Sequence, residues 1–232
     1  MSAQQLRRLH YDDSASGRRL ARQDLAQLVE WRVLARLGRR VGGVRSGSEG
    51  FVYGLDVAGQ RLVYADRRRY RTPWTPEPAF LAHALAVTEL AVQLQERSRV
   101  HPLERLSFDA EPTSWRRFNG PGGQRLTLKP DAYVVCVSAE FEDRYFVEID
   151  RGTESLNRIL DKGRLYGRHW QSGREQTAHG VYPQVLWIVP DLRRRDQIVG
   201  ALGALDPKHW RLFQVTTNQA AAERILDGVA GT

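Results

Sequence analysis

Three acidic residues fall where two neighbouring β-strands would bring them together. Lys129-Pro130-Asp131 sits inside one apolar run, and Glu148-Ile149-Asp150 closes the next. Strand alternation puts Phe146, Glu148 and Asp150 on one face and Tyr145, Val147 and Ile149 on the other. If the strands expected over residues 126–137 and 145–150 pair as a hairpin, Asp131 lies across from Glu148 and Asp150. Three carboxylates at one sheet end repel one another unless a cation stands between them. An all-oxygen donor set with open water positions suits Mg²⁺ or Mn²⁺. Such a site activates water and stabilises the charge that develops on a phosphodiester. Lys162 lies on the helix expected over residues 155–170, on a face with Arg158, Tyr166 and His169, while Leu156, Leu160 and Gly163 turn toward the sheet. From there its ammonium reaches the carboxylates, to orient a water or support a transition state. Glu89, alone in an apolar helix, is a further candidate metal ligand.

Each residue also has a bland reading. Asp131 after a proline can simply end a ladder, Glu148 and Asp150 can pair with Arg151, Arg158 or Lys129, and Glu89 can lie on an exposed edge. The ordered set in its strand–strand–helix context favours a site. So does the scarcity of lysine: only Lys129, Lys162 and Lys208 occur among 35 basic residues, and two of them flank the acidic motif. A lysine kept in an arginine background marks a place for a compact ammonium.

The elements that must position these residues follow from periodicity. A helix over residues 79–97 precedes strands over 106–111, 126–137 and 145–150, with a Gly-Pro-Gly-Gly turn at 120–123. After the helix over 155–170, the unbroken apolar run 185–189 reads as a strand covered on both faces. A helix over 191–205 and a strand over 212–216 complete the order helix, three strands, helix, strand, helix, strand. Residues 67–78, basic and then proline-rich, read as a linker between a domain over 1–66 and a domain over 79–232.

The first domain carries the charge. The chain of 232 residues has a net charge of +8. Residues 1–72 hold 15 arginines and no lysine against seven acidic side chains, whereas residues 73–232 hold 20 of each sign. Cations gathered in one region suit a phosphate backbone, because displaced counterions reward them. Residues 4–10 read as a short helix with Leu6 and Leu9 inward, residues 12–16 as a turn, and residues 17–30 as a second helix. Its apolar side is Ala21, Leu25, Leu28 and Val29; Arg18, Arg19, Arg22, Gln23 and Gln27 are left to face a DNA groove. Strands over 31–37 and 51–55 flank a Gly/Arg/Ser-rich loop bearing Arg39, Arg40 and Arg45, which reads as a basic wing, and Arg67, Arg68 and Arg69 extend the basic surface. The chain begins almost at the turn pair, so a neighbouring helix or a second subunit must cover the apolar surface, or the true start lies upstream. A homodimer on paired half-sites of double-stranded DNA fits this arrangement.

Composition excludes other classes. No stretch approaches the roughly 18 apolar residues of a membrane span, and no apolar run follows the N-terminal charges as in a secretory signal. The lone Cys136 has no internal disulfide partner, so a reducing, cytoplasmic setting is expected. The six histidines offer no His-x-His pair for a rolling-circle relaxase, no P-loop run exists, and one cysteine with scattered histidines argues against zinc.

The runs LKPDAYVV, YFVEIDRGTESLNRILDKGRLYGRHW and PQVLWIVP resemble the replication-relaxation family of plasmids, phages and integrative elements, as do QLRRLHY and LARQDLAQLVEWRVLARL near the start. The same set is similar to the PD-(D/E)xK nuclease superfamily. Pro130-Asp131 matches the first half of that motif and Glu148 the acidic position; Asp150 stands where the lysine belongs. Some members carry the lysine on the adjacent helix, and Lys162 is placed for that. The resemblance implies an α/β (α+β) fold: a winged helix-turn-helix followed by a restriction-endonuclease-like αβββαβαβ domain. It implies replication or DNA processing by metal-dependent cleavage or nicking. The alternative is a non-catalytic replication initiator or transcriptional regulator on a degenerate nuclease fold.

Overall fold

A computed structural model describes residues 1–37, 51–64, 69–73, 75–100, 103–139 and 141–227. The chain separates into two compact units, Met1–Val92 and Gln93–Thr232.

In the first unit, α1 (Ala3–His10) opens on a capping box: Ser2 accepts from the backbone of Gln5, and the Gln5 side chain accepts from the backbone of Ser2. α2 (Ala15–Glu30) is capped by Ser14, and its buried positions include Ala21 and Leu25, the stripe the periodicity predicts. β1 (Leu34–Leu37) pairs antiparallel with β2 (Val52–Leu55). Both are shorter than the spans expected over 31–37 and 51–55, because Trp31 closes α2 and Arg32 takes a positive φ of 56°. The loop expected as a wing, with Arg39, Arg40 and Arg45, lies outside the described residues, as do Arg67 and Arg68. Two features were not expected. The N-terminus joins the hairpin, with Ala3 N–H donating to Phe51 and Tyr53 N–H to Met1. A further helix, α3 (Val57–Val63), is capped by Asp56.

α4 (Pro78–Ser98) supplies the cover that the apolar N-terminal surface requires. Leu81 and Leu85 pack with Val52 and Leu37, and the buried Gln5 amide donates to the Leu85 carbonyl at 3.0 Å. The division between the two compact units falls inside α4, after Val92. Periodicity locates an apolar helix but not the partner of each of its turns.

The second unit is built on a five-stranded sheet in the order β3–β6–β7–β8–β9. β3 (Arg105–Ala110) comes first. A separate antiparallel hairpin, β4 (Arg116–Asn119) and β5 (Arg125–Leu128), follows. β6 (Ala132–Val137) pairs antiparallel with both β3 and β7 (Glu142–Ile149). The single strand expected over 126–137 is thus two, broken at Lys129-Pro130-Asp131, since Pro130 has no N–H to continue a ladder. Its carbonyl instead accepts from the buried Ser114 hydroxyl at 2.6 Å. After β7 come α5 (Leu156–Gln171), α6 (Arg174–His179), β8 (Gln184–Val189), α7 (Leu192–Leu202), β9 (Phe213–Thr217) and α8 (Ala221–Leu226). β7, β8 and β9 run parallel, which requires the helical crossovers between them. β8 is buried from Val185 to Val189, as its unbroken apolar run requires.

One face of the sheet packs Tyr133, Val135, Phe146, Val185 and Trp187 against Ile159 and Tyr166 of α5 and Ile198 and Leu202 of α7. α5 is rotated from the expected orientation: Ile159, Gly163, Tyr166, Gly167 and His169 are buried, whereas Leu156 is exposed. Gly163 faces inward, as expected. A Cβ there would come within 2.7 Å of Leu205, so the bare backbone seats the helix against residues at the end of α7. No helix among the described residues is long and apolar enough to cross a membrane.

Candidate active site

β7 ends with Glu148 and its following residue Asp150 on the face that looks toward α5 and α7, and the break before β6 sets Asp131 beside them. Asp131 is anchored by backbone: its N–H donates to the Val147 carbonyl at 3.0 Å, and its Oδ2 accepts from the Ile149 N–H at 2.6 Å. Glu148 is 2% exposed and accepts from two residues of α5. The Lys162 ammonium donates to Oε2 at 2.9 Å, and the Tyr166 hydroxyl to Oε1 at 2.7 Å. Lys162 and Tyr166 are four residues apart, so one face of the helix holds both oxygens of the carboxylate. Lys162 also pairs with Glu154 at 3.2 Å and lies over the Trp187 ring, 5.5 Å from its centroid.

Burial pushes the Glu148 carboxyl up to about 7, against the pull of Lys162 and with Asp131 adding to the rise. Burial disfavours the Lys162 ammonium, but Glu148, Glu154 and Asp131 outweigh it and hold its pKa above the ordinary lysine value. The Tyr166 hydroxyl is raised well above the ordinary tyrosine value by burial and by Glu148, which keeps it a proton donor. The site therefore holds a fixed ammonium, a fixed phenol and a carboxyl poised near neutrality, an arrangement typical of acid–base or ion-assisted chemistry.

Asp150, 4% exposed, is held differently. Arg194, in the first turn of α7, donates to its Oδ2 at 2.5 Å and to the Glu154 carbonyl at 2.5 Å. Asp150 Oδ1 is buried with no hydrogen-bond partner. Arg194 thus ties the end of β7 to the loop before α5, where Gly152 takes a φ of 80°. Among the described residues, no three His, Cys, Asp or Glu side chains stand together as a ready cation site. Glu148 and Asp150 face Lys162 and Arg194 in this conformation. The oxygen donors themselves are of the type that suits Mg²⁺ or Mn²⁺. Glu89 belongs to the first unit, where it accepts from the Gln5 amide at 3.1 Å and pairs with Arg8 at 2.5 Å.

Sequence reasoning brought Asp131, Glu148 and Lys162 together and placed Tyr166 on the face of Lys162. It missed Arg194 and Glu154 as partners of the site. Glu154 carries a local signal, since it lies beside the acidic run and the Ser155 cap. Arg194 carries none, because its partner Asp150 is 44 residues away.

In the first unit, α2 presents Arg18, Arg19, Arg22 and Gln23 to solvent. Arg18 pairs with the exposed Asp13 at 3.2 Å. Arg69 is exposed beyond α3.

A family model described as replication-relaxation matches residues 1–185. No curated protein and no solved structure matches the chain.

Proposed function

From the premise that the chain belongs to the replication-relaxation family, which ties it to replication or DNA processing in plasmids and mobile elements, we propose that it binds double-stranded DNA and cuts or nicks a phosphodiester. The observation that carries this reading is the buried Glu148, gripped by Lys162 and Tyr166 beside Asp131. The order α4, β3, β4, β5, β6, β7, α5, α6, β8, α7, β9 supports it: with the separate β4–β5 hairpin and the short α6 set aside as insertions, it leaves the αβββαβαβ frame expected of a PD-(D/E)xK-like nuclease. α1, α2 and the β1–β2 hairpin support a winged-helix module, with Arg18, Arg19, Arg22, Gln23 and Arg69 toward DNA.

In this reading Asp131 and Glu148, with the unpartnered oxygen of Asp150, would hold Mg²⁺ or Mn²⁺. When bound, the ion supplies charge neutralisation and an acidified water. Lys162, fixed by Glu148 and Glu154, orients the attacking oxygen and offsets charge on the phosphoryl oxygens. Tyr166 keeps Glu148 in place through a hydrogen bond to the oxygen that Lys162 does not use. A homodimer reading paired half-sites in the cytoplasm completes the proposal.

One observation favours a second reading, a non-catalytic initiator or regulator: Lys162 and Arg194 already neutralise Glu148 and Asp150. Incubating the protein with supercoiled plasmid in Mg²⁺, Mn²⁺ or EDTA separates the two. Metal-dependent open circles, absent with Asp131→Ala, support the nuclease. No nicking, with gel-shift binding retained in EDTA, rejects it in favour of the binder.

A further inference from the structure

The outer face of the β4–β5 hairpin carries Arg117 and Arg125, which make no ion pair among the described residues. From Trp115 to Lys129 the chain has four basic residues and no acidic one. The register sets Arg117 opposite Thr127 and Asn119 opposite Arg125. Phe118 and Leu128 are buried in the core of the unit with Leu126 packed against them, so the pleat sends Arg117, Asn119 and Arg125 outward, and all three are exposed. Lys129 follows directly, exposed, with its ammonium 4.4 Å from the centre of the Trp115 ring.

Arg116 shows what the other face does with a cation. It turns inward to the buried Glu175 at 3.1 Å. Some exposed arginines elsewhere in the unit find carboxylates: Arg158 pairs with Glu154 at 2.9 Å, and Arg164 with Asp161 at 2.8 Å. Arg168, Arg193 and Arg211 make no ion pair among the described residues, but they stand on three separate segments rather than together on one ribbon. Among the described residues, Arg117, Arg125 and Lys129 make no ion pair. The hairpin is also rigid. Its inner face is core, and its turn closes with Gly120 N–H donating to the Gln124 carbonyl at 2.9 Å. Like charges held together without counter-charges on one ribbon raise the local potential and gather mobile counterions, which a polyanionic partner displaces. A two-stranded ribbon also has the dimensions to follow a duplex groove.

We propose that the outer face of this hairpin binds the phosphate backbone of duplex DNA, a second contact surface separate from the arginines of α2. The inference rests on the reading that the chain binds DNA. It adds that the unit holding Asp131 and Glu148 makes its own backbone contacts, through a segment that ends two residues before Asp131.

The test is fluorescence anisotropy of the full chain on a duplex oligonucleotide across a series of NaCl concentrations. The R117Q/R125Q/K129Q variant is compared with an R168Q/R193Q/R211Q variant that removes the same charge from other exposed positions of the unit. Thermal melts check that each is folded. Each phosphate contact contributes about 0.9 to the slope of log affinity against log salt, so the hairpin variant should lower that slope by about 2 to 3, with the control near wild type. A hairpin variant with the wild-type slope, or a control that falls as far, overturns the inference and leaves the DNA-binding reading intact. Hairpin-dependent binding to polyglutamate with unchanged DNA binding also overturns it, assigning the face to an acidic protein. A wild-type chain that binds no duplex at all defeats the underlying reading instead.

Discussion

On α2, Arg19 and Arg22 stand exposed, without an ion pair among the described residues. In the second unit, Lys162 and Arg194 are drawn onto carboxylates that are 2% and 4% exposed. The same charge serves different ends. An exposed guanidinium keeps its hydration and is available to a partner at little cost to folding. A cation held against a buried carboxylate is part of the fold, and removing either member strands the other in a poorly solvated place. Charge segregation along the sequence located the first kind. Only the register of β7 against α5 and α7 locates the second.

Five variants separate these two kinds of charge. The largest effect is expected from Glu148→Ala, which leaves Lys162 and Tyr166 without their acceptor; urea unfolding should lose about 3–5 kcal/mol, the usual result of breaking a buried pair. Glu148→Gln keeps an acceptor for Tyr166 and should lose clearly less. Equal losses for the two would mean that the Tyr166 hydrogen bond adds nothing and the loss comes from the charge paired with Lys162.

Next comes His169, buried under Phe118 and Phe146, with Nδ1 against the Tyr182 hydroxyl at 3.0 Å. Burial, with Arg116 and Arg174 adding, lowers its pKa from 6.5 to about 4. Between these values the unfolded chain binds the proton and the folded chain does not, so its contribution is full above pH 6.5 and is lost as pH falls toward 4. The loss is on the order of 3 kcal/mol. Glu148 acts with the opposite sign: its carboxyl is raised from 4.5 to about 7, so its ionisation reduces stability as pH rises through that window. Subtracting the His169→Gln profile from the wild type should leave a difference that grows with pH between about 4 and 6.5. A flat difference would falsify the buried neutral histidine.

Arg194→Gln should cost about 2 kcal/mol, since it removes a charge-assisted bond to a buried acid. It should also speed amide exchange in residues 151–155, which Arg194 holds through the Glu154 carbonyl. Unchanged exchange would show that the loop does not depend on this tie. The smallest effect on folding belongs to Arg19→Gln with Arg22→Gln, within about 0.5 kcal/mol. Here the change should appear in DNA affinity, with the salt slope reduced by about 1 for each lost phosphate contact. A destabilised double variant with unaltered DNA binding would reverse the roles assigned to the two units.

Much of this was legible in the sequence because it is periodic. The apolar stripe of α2 and the unbroken run of β8 gave their elements directly, and Asp131, Glu148 and Lys162 were found from strand alternation and helix spacing. What escaped was set by distant partners. Pro130 reads as a tolerated defect in one strand until Ser114 is seen to take its carbonyl. On α5, Leu160 and Gly163 face the core as their spacing predicts, whereas Tyr166 and His169 are also drawn inward, by Glu148 and by Phe118 and Phe146, contacts that no local spacing reveals. The packing of the first part of α4 onto α1 runs through Gln5 and Glu89, more than 80 residues apart. Arg194 meets Asp150 only because α7 begins beside the end of β7.

The most direct test of the central claim is the rate of open-circle formation from supercoiled plasmid by wild type and Glu148→Gln, with Mg²⁺ or Mn²⁺ present. Thermal melts and gel shifts in EDTA should be run on the same preparations. Wild type should nick in a metal-dependent way and Glu148→Gln should not, with both proteins folded and binding DNA alike. Nicking at the wild-type rate by Glu148→Gln, or none by wild type, would contradict it.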